Sequence, residues 1–275
     1  MNTGRDHDKR PIGIFDSGIG GVSVLNCFTE RFPNENFIYC GDTARLPYGN
    51  KSPETIQRYC EQILDFLLNQ NVKMVVVACN TASTQIKSLT YKGIPVIEMI
   101  DSGVNELLSQ PPEKDSQTLL LATRSTILSN SYQNKIHSAL PQHQVISVPC
   151  PLFVPLVEEG LLSHRLTEEA MKLYLTDQLF QDEKKISSVI LGCTHYPFLK
   201  PSLEKYFSTK GISKIRFIDC GMGAVQNFAT NPKISKNQNS GGRVQVFLTD
   251  QSDYFQKILQ KLAKFQTDSI QTVQL

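Results

Sequence analysis

The chain has 275 residues, 40% hydrophobic and 20% charged, an ordinary globular composition with room for one large or two medium domains. A formal net charge of +2, with the basic residues scattered beyond the adjacent pairs Lys9-Arg10 and Lys184-Lys185, argues against a nucleic-acid surface. No apolar run approaches the roughly 20 residues that span a bilayer, and Met1–Arg10 lacks the apolar core of a secretory signal, so a cytoplasmic protein with no membrane contact is expected.

Short β-rich runs alternate with helical stretches. Pro11–Phe15 reads as a strand, a glycine-rich turn follows, and Gly21–Phe32 reads as a helix; Asn36–Cys40 is a second strand. Ser52-Pro53-Glu54 combines a cap residue, proline at the first helical position and an acid in the first turn. It opens a helix whose apolar stripe is Ile56, Cys60, Ile63, Leu64, Leu67 and Leu68. Lys73–Ala78 (KMVVVA) is nearly continuous in apolar residues, as in a strand buried on both faces of a parallel sheet. Ile94–Glu98 is a further strand, followed by a helix to Gln110. Pro111–Ser116 is a polar connector. A second series follows, with strands at Thr118–Ala122, Val145–Val148 and Ser188–Leu191. Ile215–Ile218 is another apolar run, before Asp219. Asn231–Gly242, rich in Asn, Lys, Ser and Gly, predicts a mobile surface loop. Val244–Leu248 and a final helix over about Ser252–Phe265 close the chain. Strands alternating with helices define an α/β fold with mainly parallel sheets.

Seven cysteines form no Cys-x-x-Cys and no zinc-finger spacing, which suits buried thiols in a reducing compartment. Two stand out. Val75–Thr81 (VVVACNT) and Val189–His195 (VILGCTH) each run from a buried strand through a small residue to a cysteine and then polar residues, about one domain length apart. Ligands of open parallel sheets bind beyond the carboxyl ends of the strands. Cys79 and Cys193 there would face a cleft, and a helix starting just after each would favour its thiolate. A zinc reading of Cys79, Cys193 and His195 lacks the close-spaced ligand pairs of such sites. A lone cysteine after a strand is usually a core residue; the repeated context weakens that reading here.

Two loops accompany these strands. Asp16-Ser17-Gly18-Ile19-Gly20-Gly21 has neither the lysine of a P-loop nor the Gly-x-Gly-x-x-Gly spacing. It is either a packing turn or a place where backbone N–H groups meet an anion, with Asp16 as an acid–base group or a holder of an ammonium. Gly41–Gly49 (GDTARLPYG) is rich in turn formers and can present Tyr48 to a ligand. Thr123-Arg124-Ser125-Thr126 occupies the corresponding place in the second series.

The stretches IGIFDSGIGG (Ile12–Gly21), GDTARLPYG, VVACNTAS (Val76–Ser83) and LGCTHYP (Leu191–Pro197), in this order and spacing, resemble the glutamate racemases over nearly the whole chain. The resemblance implies two pseudo-symmetric α/β domains with mainly parallel central sheets and an active site in the cleft between them. It divides the chain into residues 1–98 plus 211–275 and residues 99–210. It implies cofactor-independent and metal-free interconversion of L- and D-glutamate, supplying D-glutamate for peptidoglycan. Cys79 is then the base for D-glutamate and Cys193 the base for L-glutamate, assisted by Asp16 and His195. Asp16, Ser17, Tyr48, Gly49, Asn80, Thr81, Thr194 and His195 are the expected substrate contacts. A homodimer is expected, and some members also bind DNA gyrase. Departures from the family pattern are Asp219-Cys220-Gly221 where Asp-Ser is usual, Ala122-Thr123 where Gly-Thr is usual, and the stretch after Glu98 (MIDSGVNE). The competing readings are a racemase of aspartate or another amino acid, and a non-catalytic amino-acid sensor.

Overall fold

The computed structural model describes residues 8–180, 185–212, 214–237 and 241–275. Most of the polar N-terminal stretch, Lys184 and the centre of the Asn231–Gly242 loop lie outside the described residues.

Eleven strands occur among the described residues, in two sheets. The larger sheet contains β1 (Ile12–Asp16), β2 (Phe37–Gly41), β3 (Met74–Val77), β4 (Thr90–Tyr91), β5 (Ile94–Glu98), β10 (Val244–Leu248) and β11 (Ser269–Thr272), in the order β11-β10-β2-β1-β3-β5-β4. The smaller contains β6 (Ser116–Ala122), β7 (Gln144–Pro149), β8 (Lys185–Gly192) and β9 (Arg216–Asp219), in the order β7-β6-β8-β9. Every pairing is parallel except the β4–β5 hairpin. The series β2-β1-β3-β5 and β7-β6-β8-β9 are the same arrangement, each built outward on both sides of its first strand. This repeat puts Cys79, after β3, and Cys193, after β8, at corresponding positions.

Strand β9 corrects the expected division of the chain. Arg216–Asp219, assigned from sequence to the returning first unit, pairs with β8 in register Ser188↔Arg216 to Leu191↔Asp219. The second sheet therefore runs past residue 211, and the chain returns through the helix Cys220–Thr230, capped by Asp219 through Gly221 N at 2.8 Å.

Alternation along the first sheet explains its two-sided burial. Ile12, Ile14, Met74 and Val76 face a core that continues without a break through Leu119, Leu121 and Val189 of the second sheet. Phe15, Val75 and Val77 face the opposite side, where Ile56, Ile63, Leu64 and Leu67 of the helix Pro53–Asn69 cover them. The helices Met99–Ser109 and Cys220–Thr230 join the two halves. They cross so closely that a Cβ on Gly223 would lie 2.0 Å from the Ser102 carbonyl oxygen. The cap expected at Ser52 is present, with Thr55 N donating to Ser52 Oγ at 3.3 Å.

The amino ends of the first sheet carry a buried ion pair. Lys73 Nζ lies 2.6 Å from Glu35 Oε2 and also donates to the Asp8 and Ser235 carbonyls at 3.0 and 2.9 Å. Glu35 Oε1 accepts from Asn237 N at 2.7 Å, and Ile234 is buried. Residues 231–237 are thus pinned under the sheet, against the expectation of a mobile loop there. The final helix also differs from expectation: Asp253–Leu262 ends early enough for the chain to add β11. No helix among the described residues is long and apolar enough to cross a membrane.

Candidate active site

Nine of the ten residues singled out from sequence line one cavity of about 390 Å³: Ser17, Tyr48, Gly49, Cys79, Asn80, Thr81, Cys193, Thr194 and His195. Asp16 is the exception. It is fully buried behind the lining, where its carboxylate accepts from Gly18 N at 2.9 Å and from Thr194 Oγ1 at 3.0 Å. Asp16 therefore ties the first sheet's loop to the second sheet's loop. Larger surface hollows exist, one of about 720 Å³ beside Met171 and Tyr206, but no cysteine lines it. Its lysines are already paired with acids, Lys205 with Glu168 and Lys210 with Asp177.

The two thiols have unequal surroundings. Cys79 caps the four-residue helix Asn80–Ser83, its Sγ accepting from Ala82 N at 3.4 Å, while its own S–H points to Ser17 Oγ at 3.7 Å. Burial and the nearby negative charge of Asp16 nonetheless push the Cys79 thiol well up from its ordinary value, outweighing these hydrogen bonds. The expected helix-terminus effect on the thiolate is overridden here: one helical turn carries little dipole, and burial of the sulfur dominates. At Cys193 no α-helix follows directly. A 3-10 turn at Tyr196–Leu199 intervenes before the helix Lys200–Thr209. Its neighbour is instead His195, whose Nδ1 lies 3.7 Å from Cys193 Sγ.

His195 is itself held. Its Nε2 contacts Glu158 Oε1 at 3.0 Å. Burial opposes a charge on the ring, but the hydrogen bonds to Cys193 and Glu158 more than offset it and hold the imidazole at about 10. A Cβ on Gly20 would come within 2.4 Å of His195 Nδ1, so the bare glycine backbone forms the wall that seats this ring.

A third group of contacts bridges the two sheets. Thr81 Oγ1, after β3, lies 2.9 Å from Thr123 Oγ1 and 3.3 Å from Thr126 Oγ1, both after β6. Ser125 Oγ donates to Gly49 O at 2.7 Å, fixing the Tyr48–Gly49 turn against the second half. Tyr48 is anchored from below, its hydroxyl donating to buried Asp42, which also accepts from Arg45 Nε at 2.7 Å and Thr249 Oγ1 at 2.9 Å. Glu158 and Asp42 were not singled out from sequence. Asp42 lay within a quoted motif; Glu158 lies in none. Among the described residues no three His, Cys, Asp or Glu side chains converge so as to hold a metal ion, and all seven cysteines are free thiols.

A two-sheet, mainly parallel α/β fold with a thiol from each half at one cleft is the class defined by this geometry. Residues 16–227 match the family model for Asp/Glu/Hydantoin racemase, and the chain belongs to that family. It is 40% identical to a glutamate racemase of Persephonella marina over 249 residues, which is 90% of this chain and 91% of that one. Its fold superposes on the glutamate racemase of Francisella tularensis in complex with D-glutamate with a TM-score of 0.85 at 36% identity, covering 97% and 98% of the two chains. A glutamate racemase isoform of Bacillus anthracis gives a TM-score of 0.88 at 28% identity, covering 98% and 99%.

Proposed function

We propose that this protein interconverts L- and D-glutamate by a two-base proton transfer between Cys79 and Cys193, without a cofactor. One observation carries the reading: two thiols at corresponding ends of two repeated sheets line one small cavity. Racemisation removes a proton from one face of the α-carbon and returns one to the other. Two bases in one cavity do this with little movement of the substrate. In the proposed assignment Cys79 takes the proton of D-glutamate and Cys193 that of L-glutamate.

The two-base reaction needs one sulfur as thiol and the other as thiolate, and the two sulfurs have unequal surroundings. Cys79 is favoured as thiol, and Cys193 lies beside a protonated His195. The charge that develops on the substrate next to its carboxylate needs preorganised donors. The hydroxyls of Ser17, Thr81 and Thr123 line the cavity for that, while the Thr194 hydroxyl is directed at Asp16 and the His195 ring contributes through its charge. Asp16 acts through Thr194. The same proposal includes a homodimer in a bacterial cytosol that supplies D-glutamate to peptidoglycan.

The test is proton NMR of each enantiomer in D₂O with chiral analysis, on the purified chain and on Cys79→Ala and Cys193→Ala. The intact protein should exchange the α-proton of both enantiomers and invert both. Either variant should lose inversion by about 10²–10⁴-fold, the scale of a lost acid–base group, and any residual exchange should be confined to one enantiomer. Near-normal inversion by either variant would sink the two-base assignment. Aspartate turned over as fast as glutamate would move the substrate assignment.

A further inference from the structure

Behind Asn80 lies a buried cluster that the two-thiol chemistry does not use. Asn80 is 2% exposed and its Nδ2 donates to Tyr132 Oη at 2.7 Å and toward Cys220 Sγ at 3.7 Å. Tyr132 Oη and Cys220 Sγ lie 3.1 Å apart. The tyrosine hydroxyl reaches the Met99 carbonyl at 3.2 Å, and the thiol reaches the Leu191 carbonyl at 3.5 Å. In the assignment that directs the Tyr132 hydroxyl to the Met99 carbonyl and the Cys220 thiol to the Leu191 carbonyl, the tyrosine oxygen and the thiol sulfur face Asn80 as acceptors. That arrangement selects the nitrogen end of the amide. Asn80 Oδ1 is then turned the other way, is buried, and has no partner among the described residues, while Asn80 lines the cavity. An orphaned buried acceptor at a ligand cavity is unfavourable until a donor reaches it.

We propose that Tyr132 and Cys220 are positioning residues that lock the Asn80 amide with its oxygen toward the cavity, presenting a preformed acceptor to the ammonium group of the substrate. The inference rests on the amino-acid racemase reading and adds to it the device that fixes the amide's orientation. Burial keeps the Tyr132 hydroxyl protonated far above the ordinary tyrosine range, so it stays neutral throughout. The cluster ties Asn80 after β3 to the second half of the molecule. Tyr132 comes from the helix Ser131–Ala139, Cys220 opens the helix Cys220–Thr230, and Leu191 lies in β8 two residues before Cys193. A thiol is a weaker acceptor than a hydroxyl, which leaves Tyr132, at 2.7 Å against 3.7 Å for Cys220, as the principal partner.

The experiment is a double-mutant cycle of Tyr132→Phe and Asn80→Ala, reading KM and kcat for L- and D-glutamate separately. Tyr132→Phe keeps the ring and removes the acceptor. It should raise KM about tenfold, the scale of a weakened hydrogen bond to a charged group, with kcat changed less. In the Asn80→Ala background the same substitution should change KM less than twofold. Cys220→Ser in the Tyr132→Phe background should recover part of the KM, since a hydroxyl there can take over the amide hydrogens. Equal effects of Tyr132→Phe with and without Asn80, or loss of kcat with KM unmoved, would overturn the positioning role. An inactive parent protein would instead overturn the racemase reading, because the cycle is read only against its measured turnover.

Discussion

Replacing Glu158 by Gln tests the electrostatics of the site without touching either thiol. The imidazole of His195 is fully buried, and its charge persists only because Cys193 and Glu158 support it. Glu158→Gln keeps the side-chain size and an oxygen that can still accept at 3.0 Å, but removes the negative charge. A hydrogen bond to a charged partner contributes roughly 1.5–3 kcal/mol, and about 1.4 kcal/mol corresponds to one pH unit. The imidazolium should therefore titrate one to two units lower, falling from about 10 to about 8–9. ¹⁵N-histidine NMR reads the ring directly, and the pH profile of α-proton exchange in D₂O reads its consequence. The alkaline limb of the variant should move down by the same one to two units, with activity near pH 6.5 much less affected. A His195 titration that stays in place, or an exchange profile that scales down uniformly at every pH, would refute the reasoning.

Four further outcomes follow from the geometry. Gly20→Ala puts a Cβ into His195 and Thr194 at 2.4 Å; turnover should fall about a hundredfold, as expected for a catalytic group misplaced by about an ångström, with about 1–3 kcal/mol lost in urea unfolding from the buried overlap. Gly223→Ala forces apart the helices Met99–Ser109 and Cys220–Thr230 and should cost about 1–3 kcal/mol in urea unfolding; a neutral result would show that the crossing has slack. Lys73→Met leaves Glu35 buried and unpaired and should cost about 3–5 kcal/mol, whereas Lys73→Met with Glu35→Leu should recover most of it. For pH, His195 binds its proton more tightly folded than unfolded. Its contribution to stability is full below the unfolded value of about 6.5 and is lost as pH rises through about 10. The limiting slope for that one proton is about 1.4 kcal/mol per pH unit. Wild-type stability should fall across that window relative to His195→Gln; parallel curves would count against the assignment.

Much of this was readable in the chain because the decisive signals are local. Strand β3 and the second half of β8 (Val189–Leu191) are continuous apolar runs, as their burial on both faces requires. Ser52 and Pro53 mark a helix start whose cap is formed as read. The cysteines and their polar neighbours converge because they end corresponding strands of a repeated arrangement. What the sequence hid depends on pairing across the fold. The four residues of β9 look alike whichever sheet they join. β11 is a short edge strand of mixed polarity. Glu158 is followed by Glu159 with nothing local to separate them, yet the first reaches His195 and the second Tyr254. The loop after Asn231 is polar in composition, and only the buried Lys73–Glu35 pair beneath it reveals that part of it is anchored.

The duplicated sheet order carries unlike chemistry at its two thiols: Ser17 and the charge of Asp16 near Cys79, a protonated imidazole and Glu158 near Cys193. Mirror-image substrates have identical free energies in water, so the proposed reaction has an equilibrium constant of one. The ratio kcat/KM must then be the same in both directions, whatever the lopsidedness of the cleft. Any tighter grip on one enantiomer has to reappear as slower turnover of that enantiomer. The structural inequality between the two halves is thus free to set which ligand form and which protonation state the resting enzyme holds, while leaving the low-concentration efficiency of the two directions equal.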